Sequence, residues 1–192
     1  GQLNGAISAY DYRSLPQISV FHPNKNQEDL ILDVKINKGR IYSLTESKFS
    51  MWDLRSGRNS LFDLNNSTKK YFRLIPFASA KGDRIFCLSK DGVSVRKWME
   101  GEEEKCHLII KSKVNEEFKD FFLYQNKILL VLLNRDGKDY LKVFKIRGKD
   151  LKMLDEYEFS GNLFQRLQLN PNNFLVSAFG EDGMEVLNMK NS

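Results

Sequence analysis

The feature that most constrains this chain is a repeat with a period in the mid-forties. Asp-Gly pairs stand at Asp91-Gly92, Asp136-Gly137 and Asp182-Gly183, so successive glycines are 45 and 46 residues apart. Each pair lies between two short apolar runs, as expected of a tight hairpin turn that joins two strands. The layout extends toward the N-terminus, where Ile41 stands 44 residues before Ile85. A chain with this pattern is predicted to be a series of similar β units.

Units of strands that repeat every ~40–45 residues are typical of propeller blades. The sequence therefore predicts an all-β fold, a β-propeller of four-stranded antiparallel blades in an incomplete ring. The whole chain, 1–192, forms one propeller portion in this prediction. It holds two outer strands of a partial blade at 6–21, full blades at 30–64, 72–113 and 118–159, and a three-strand terminal blade at 164–189. We expect another protein chain or a missing N-terminal segment to complete the propeller.

Composition narrows the class of protein without naming its chemistry. The 30 Lys and Arg residues are interspersed with 25 Asp and Glu residues, and the formal net charge is +5. The longest apolar run, 128–133, is far shorter than the ~18 residues of a membrane-spanning helix, so no membrane span is expected. Two cysteines, Cys87 and Cys106, are too few for a disulfide framework and favour a reducing compartment. The prediction is an intracellular protein, cytoplasmic or nuclear.

Sequence signatures of enzymes are lacking. The chain has no Gly-x-Gly-x-x-Gly, phosphate loop, His-Glu-x-x-His or Cys-x-x-Cys motif, and its histidines, His22 and His107, are far apart. We therefore predict no catalytic residue, metal site or cofactor, and a non-enzymatic chain. A propeller enzyme would need acids that converge on the innermost strands. Asp33 is the one acid well inside a predicted innermost strand, apart from the segment 116–120.

The segment Met51-Trp52-Asp53-Leu54-Arg55 resembles the third-strand ending that gives WD-repeat propellers their name. Ile41-Tyr42-Ser43 resembles the second-strand segment of the same family. The later units depart from the motif, with Val95-Arg96-Lys97-Trp98 in the second, and the Gly-His dipeptide that opens a standard repeat is missing. The resemblance implies a propeller with degenerate WD repeats that acts as a protein–protein interaction scaffold.

Trp52-Asp53-Leu54-Arg55 also resembles the Trp-Asp-x-Arg ending found in substrate receptors of cullin-4 ubiquitin ligases. This resemblance implies that Arg55 docks a ligase adaptor, whereas a receptor of the F-box type would carry its ligase module elsewhere. The family pattern also has an Asp in the preceding turn, whereas this chain has Glu46-Ser47-Lys48 there. The alternative is structural: Trp52 packs between blades, and Asp53 and Arg55 order the turn.

Loop positions supply the remaining candidates for partner binding. On one face of the predicted propeller they are Lys48, Lys69, Lys70, Asp91, Arg135 and Asp136, and on the other Arg55, Arg58, Glu102, Lys105 and Lys149. A second hypothesis is a propeller subunit that binds nucleic acid or anionic lipid. It rests on a basic cluster in the third full blade, for which a solvated outer edge is the favoured interpretation: Lys142, Lys145, Arg147, Lys149 and Lys152.

Overall fold

A computed structural model shows an almost entirely β fold, which confirms the predicted all-β class. It describes residues 7–10, 17–21, 30–46, 48–55, 59–63, 70–79, 82–97, 106–125, 127–147, 150–161, 163–170, 172, 175–181 and 183–189. Within these ranges no helix is long and apolar enough to cross a membrane.

Seventeen strands are found in the described residues. They are β1 (Ile7–Tyr10), β2 (Gln17–Phe21), β3 (Ile31–Asn37), β4 (Arg40–Thr45), β5 (Lys48–Asp53), β6 (Asn59–Asp63), β7 (Tyr71–Ser79), β8 (Gly82–Ser89), β9 (Gly92–Lys97), β10 (Cys106–Lys111), β11 (Glu116–Tyr124), β12 (Ile128–Arg135), β13 (Lys138–Arg147), β14 (Asp150–Glu158), β15 (Phe164–Asn170), β16 (Leu175–Gly180) and β17 (Gly183–Asn188).

The strands pair in chain order into small antiparallel sheets. After the two-stranded sheet β1-β2 come the first sheet (β3–β6), the second sheet (β7–β10) and the third sheet (β11–β14), each of four strands. The terminal sheet (β15–β17) has three.

The Asp-Gly pairs do not all form the same turn. Asp136 and Gly137 both have positive φ, 52° and 84°, as in a type I′ hairpin. Gly92 and Gly183 are instead the first residues of β9 and β17, with φ of 150° and 133°. A Cβ on Gly92 would lie 2.0 Å from the carbonyl oxygen of Ile110. Gly92 therefore follows the turn between β8 and β9 with a positive φ, as predicted, and the close approach of β10 is a second reason for glycine at this position.

The chain divides into two compact units, and each has its own core. The first comprises Gly1–Cys87 and Arg96–Glu104, and the second comprises Leu88–Val95 and Lys105–Ser192. In the first unit, alternation along β4 and β5 sends apolar side chains to both faces of the first sheet. One face carries Ile41 and Trp52 against Ile7 of β1. The other face packs on β7 and β8 through Tyr42, Leu44, Phe49, Met51, Tyr71, Leu74, Ile85 and Cys87.

The core of the second unit joins the third sheet to the terminal sheet. The connection from β14 to β15 carries Phe159 near its start and leads to Phe164. The ring centroids of these two residues are 5.1 Å apart. Around this pair one face of each sheet is buried, with Leu130, Leu132, Leu141, Val143, Leu169, Val176 and Ala178 in contact. Burial of this apolar surface, at about 25 cal/mol per Å², stabilises the packing of the two sheets.

Candidate functional site

The Trp-Asp-x-Arg segment lies at the end of β5 in the first unit. Trp52 is only 5% exposed and packs on Ile7 and Ile41. Asp53 Oδ1 accepts a hydrogen bond from the Arg55 backbone N–H (2.9 Å), and Oδ2 accepts one from Arg40 Nε (3.4 Å). These contacts match the structural interpretation of Trp52 and Asp53. The Arg55 side chain is exposed, and its docking of a ligase adaptor stays a prediction.

The other loop candidates are not gathered into one site. Lys70 is exposed just before β7 in the first unit. Asp91 and Asp136 are exposed in separate turns of the second unit, and no hydrogen bond or ion pair joins them. Lys48 is the half-buried first residue of β5, not a loop residue. Five candidates lie outside the described residues: Arg58, Lys69, Glu102, Lys105 and Lys149.

Arg135, predicted as an exposed partner-binding residue, is held in a charge network inside the third sheet. Its guanidinium donates to both carboxylate oxygens of Glu156, at 3.0 and 2.9 Å, and to Glu116 Oε1 at 3.1 Å. It also lies 4.6 Å above the ring centroid of Tyr140. Lys142 Nζ completes the network at 2.6 Å from Glu116 Oε1. Placing Lys142 on a solvated edge is therefore wrong, whereas Lys145, Arg147 and Lys152 are exposed as expected.

Burial and ion pairing compete at the carboxyl groups of this network. Burial alone would raise the pKa of Glu116, but hydrogen bonds from Lys142, the Lys113 backbone N–H and Arg135 outweigh it and hold the pKa below its usual value. The hydrogen bonds from Arg135 likewise lower the pKa of Glu156. Every carboxylate oxygen of Glu116 and Glu156 accepts at least one hydrogen bond, which offsets the cost of placing these charges within the sheet.

The innermost strands carry two aspartates in equivalent positions. Each follows a bulge, between Ile31 and Asp33 in β3 and between Phe118 and Asp120 in β11. Asp33 Oδ2 accepts a hydrogen bond from the Leu74 backbone N–H of β7 at 2.9 Å. Asp120 Oδ2 accepts one from the Leu167 N–H of β15 at 2.8 Å. The two carboxylates therefore connect the first strands of successive sheets within their units.

Equivalent backbone donors define the same position in the other innermost strands. Leu74 and Leu167 donate to these aspartates, so the residues that precede them, Arg73 and Arg166, stand where Asp33 and Asp120 stand. A bulge between Phe164 and Arg166 confirms the alignment for β15. The position thus reads Asp, Arg, Asp, Arg along the chain. Among the described residues no group of three or more His, Cys, Asp and Glu side chains could hold a metal ion.

One face of the terminal sheet is open, and we take this open face as the candidate functional site. Its side chains alternate with those that enter the core: Val176 and Ala178 are buried, whereas Ser177 and Phe179 point to the opposite side. Met184 is 58% exposed and Val186 43% exposed. The open face comprises Arg166, Gln168 and Asn170 of β15, Leu175, Ser177 and Phe179 of β16, and Met184, Val186 and Asn188 of β17.

The terminal sheet is fixed in place although it is open. Glu185 of β17 accepts hydrogen bonds from the backbone N–H groups of Ser160 and Gly161, at 3.0 and 3.1 Å, and from Ser160 Oγ at 2.9 Å. Burial raises the pKa of Glu185, but these donors outweigh it and lower the pKa below its usual value. The contact ties β17 to the connection that leads into β15.

Comparison with known proteins finds similarity at the level of fold only. No protein-family model matches the chain, and no curated protein is similar to it. The extracellular domain of BT4673 from B. thetaiotaomicron, classed as a one-component system, shares 13% identity at a TM-score of 0.66, over 98% of this chain and 25% of that chain. A Bacteroides fragilis protein classed as a 6-phosphogluconolactonase also shares 13% identity, at a TM-score of 0.66. The match covers 97% of this chain and 60% of that chain.

The periplasmic gluconolactonase of Pseudomonas aeruginosa is also similar, with 13% identity, a TM-score of 0.64, and coverage of 94% of this chain and 58% of that chain. The chain therefore spans between a quarter and three fifths of the length of these structures. None of the comparisons gives evidence of a WD repeat or of a ubiquitin ligase.

These comparisons correct two predictions. The prediction of a non-enzymatic chain is wrong, because structures of this fold include two proteins named as gluconolactonases, so the fold is related to that of enzymes. The prediction of an intracellular location is wrong as well, because the similar structures are extracellular and periplasmic and point away from it. Short motifs reveal only active sites whose residues are close in sequence, and two cysteines do not decide a compartment.

Sequence reasoning missed the residues of the open face. Met184 and Val186 alternate with Glu185 and Leu187 as in any strand, and the pattern does not tell which face has a neighbour. The one available signal is Arg166, the only charged residue of β15.

Proposed function

We propose that the chain is a portion of a β-propeller and that it functions as a binding module, with the open face and the free edge of the terminal sheet covered by a further four-stranded sheet. The partner is a polypeptide that forms antiparallel strands, in another protein chain or in another part of the same protein. The observation that carries the proposal is the contrast between the terminal sheet and the third sheet.

Burial in the third sheet is the first support. Leu129, Val131 and Leu133 on one face of β12 are buried, and so are Leu130 and Leu132 on the other. The terminal sheet buries Val176 and Ala178 on one face only, while Met184 and Val186 on the other remain exposed. The open face therefore carries exposed apolar side chains rimmed by polar ones, an arrangement that marks interaction sites.

Strand number is the second support. The first, second and third sheets each have a fourth strand at the outer edge, whereas β17 is the last strand of its sheet in the described residues. An edge strand offers a row of backbone donors and acceptors to an incoming strand. A partner that adds one strand to β17 would complete the sheet, and its remaining strands would cover the open face.

Coverage of the similar structures is consistent with a larger assembly. The chain matches 60% and 58% of the two gluconolactonases over almost its whole length. Closed propellers have ~4–8 blades, and a ring leaves no sheet face open. The sheets in this chain supply part of such a ring, and the partner supplies sheets next to β15–β17.

Thiol labelling tests whether the open face is covered. Val186→Cys places a thiol on the open face, and Val114→Cys is the matched control, because Val114 is 89% exposed in the turn before β11. Each variant is labelled with maleimide in the isolated chain and in the complete protein purified with its associated chains. The parent, with Cys87 and Cys106, gives the background.

We expect labelling at Val186→Cys to be at least ~10-fold slower in the complete protein than in the isolated chain, since burial restricts access to the thiol. Labelling at Val114→Cys should be equally fast in both. Equal rates at Val186→Cys would overturn the proposal.

A further inference from the structure

The position occupied by Asp33 and Asp120 is the place where one sheet reaches the innermost strand of the next. In β3 and in β11 the carboxylate accepts the backbone N–H of the following innermost strand, at 2.9 and 2.8 Å. Its other oxygen accepts the N–H of the next residue in its own strand, Val34 or Phe121. The side chain at this position therefore supplies an acceptor to the sheet that covers it.

Arg166 occupies this position in the terminal sheet, where it places hydrogen-bond donors instead of the acceptors of the aspartates. It lies opposite Phe179 in the register of β15 and β16, on the open face. A guanidinium has five N–H donors and no acceptor, so it cannot repeat the contact made by the aspartates. Arg166 is exposed, and no carboxylate among the described residues forms an ion pair with it. Its neighbours on the same face of β15, Gln168 and Asn170, are neutral.

Covering the open face would bury Arg166 beside Phe179 and Met184, which lie in the same row across the sheet. An arginine taken out of water without a partner costs several kcal/mol, and a carboxylate that accepts two parallel N–H bonds offsets this cost best. Gln168 and Asn170 are neutral, so they need no charged group on the partner. The open face therefore selects a covering surface with a single acid near its innermost strand and neutral residues around it.

We propose that Arg166 is the specificity-determining residue of the open face and binds an Asp or Glu carboxylate on the innermost strand of the covering sheet. This inference rests on the proposed function, because it names the chemistry of the partner that covers the terminal sheet. Arg166 would reject a covering surface that presents Lys or Arg at this point, since like charges buried together are strongly unfavourable.

Zero-length crosslinking tests the inference. In the variant Arg166→Lys an amine replaces the guanidinium, and a water-soluble carbodiimide joins amines only to carboxylates in direct contact. The matched control is Gln168→Lys, which places an amine on the same face of the same strand. We expect mass spectrometry of the treated complete protein to find an amide link from position 166 to an Asp or Glu outside residues 1–192, and none from position 168.

Two results separate this inference from the proposed function. If the thiol of Val186→Cys is protected in the complete protein but Arg166→Lys gives no link to an acid, the face is covered and the role of Arg166 is wrong. If the thiol is not protected, both proposals fail. As a second readout, Arg166→Glu should accelerate labelling of Val186→Cys in the complete protein by ~10-fold or more, and Arg166→Gln by less. Equal rates for these two variants would overturn the charge requirement.

Discussion

The third sheet and the terminal sheet share a core but differ in how completely their polar and apolar groups are satisfied. In the third sheet both faces are buried, and its charges form the network of Glu116, Arg135, Lys142 and Glu156. In the terminal sheet one face is buried and the other carries exposed apolar side chains beside Arg166. Neighbours in space, rather than strand sequence, decide which face of each sheet is buried.

The largest effect on stability is expected from removing the Asp139 carboxylate, which joins the third sheet to the terminal sheet. Asp139 is completely buried, and it accepts hydrogen bonds from Lys119 Nζ at 2.8 Å, Asn134 Nδ2 at 2.7 Å and the Phe164 backbone N–H at 2.7 Å. Asp139→Ala would leave these donors without an acceptor and should lower the free energy of unfolding by about 3–5 kcal/mol. Urea unfolding of the 192-residue chain measures this loss.

The matched control is Asp91→Ala, because Asp91 is exposed in a turn and its carboxylate makes no comparable contacts. We expect this variant to change the free energy of unfolding by less than about 0.5 kcal/mol. A loss below about 1 kcal/mol for Asp139→Ala would show that the two sheets do not depend on the buried carboxylate.

Two valines on opposite faces of the terminal sheet sharpen the comparison. Val176 is fully buried in the shared core, whereas Val186 is on the open face. Val176→Ala should cost about 2 kcal/mol in unfolding free energy, through lost burial and the cavity left behind. Val186→Ala should cost at most about 0.5 kcal/mol in the isolated chain. Equal losses for the two variants in urea unfolding would mean that the open face is packed in the isolated chain.

The smallest expected effect is the change in unfolding free energy at acidic pH that comes from carboxylates in the two sheets. Glu116 and Glu156 in the third sheet and Glu185 in the terminal sheet have folded-state pKa values below the ordinary 4.5. The unfolded chain therefore binds more protons, so their stabilisation is present above about pH 4.5 and is lost as the pH falls through the folded-state values.

Lys142→Met removes a hydrogen bond that lowers the pKa of Glu116. The variant should be less stable at neutral pH, and its unfolding free energy should fall less steeply than that of the parent below about pH 4.5. Urea unfolding at several pH values checks this, with Lys145→Met, at an exposed position of the same strand, as control. Parallel pH profiles for Lys142→Met and the parent would contradict the role of Lys142.

Sequence predicted the strands well because the information for them is local. Period-two alternation places Leu130 and Leu132 on one face of β12, and Lys38 and Gly39 form a turn with positive φ after β3. The glycines of all three Asp-Gly pairs have positive φ between paired strands, as predicted, but the further requirement at Gly92 comes from β10, which no local pattern reveals.

Site prediction was weaker because function here depends on residues that are distant in sequence. Arg135 looked like an exposed loop cation, but its partners Glu116 and Glu156 lie on the strands before and after it. The same holds for Lys142, which alternation along β13 places beside Glu116. Whether Val186 is covered depends on a neighbouring sheet, and no pattern within β17 records one.

The hydrogen bonds of Glu185 have a consequence for the entropy of association. Because Ser160 and Gly161 hold β17 against the connection into β15, the outermost strand is ordered before any partner arrives. Ordering a strand on binding would cost about 1–2 kcal/mol per residue in backbone entropy. Because β17 is already ordered by its own folding, an incoming sheet would bind a preorganised surface. The free energy of its contacts would then not be reduced by the entropy of ordering this strand.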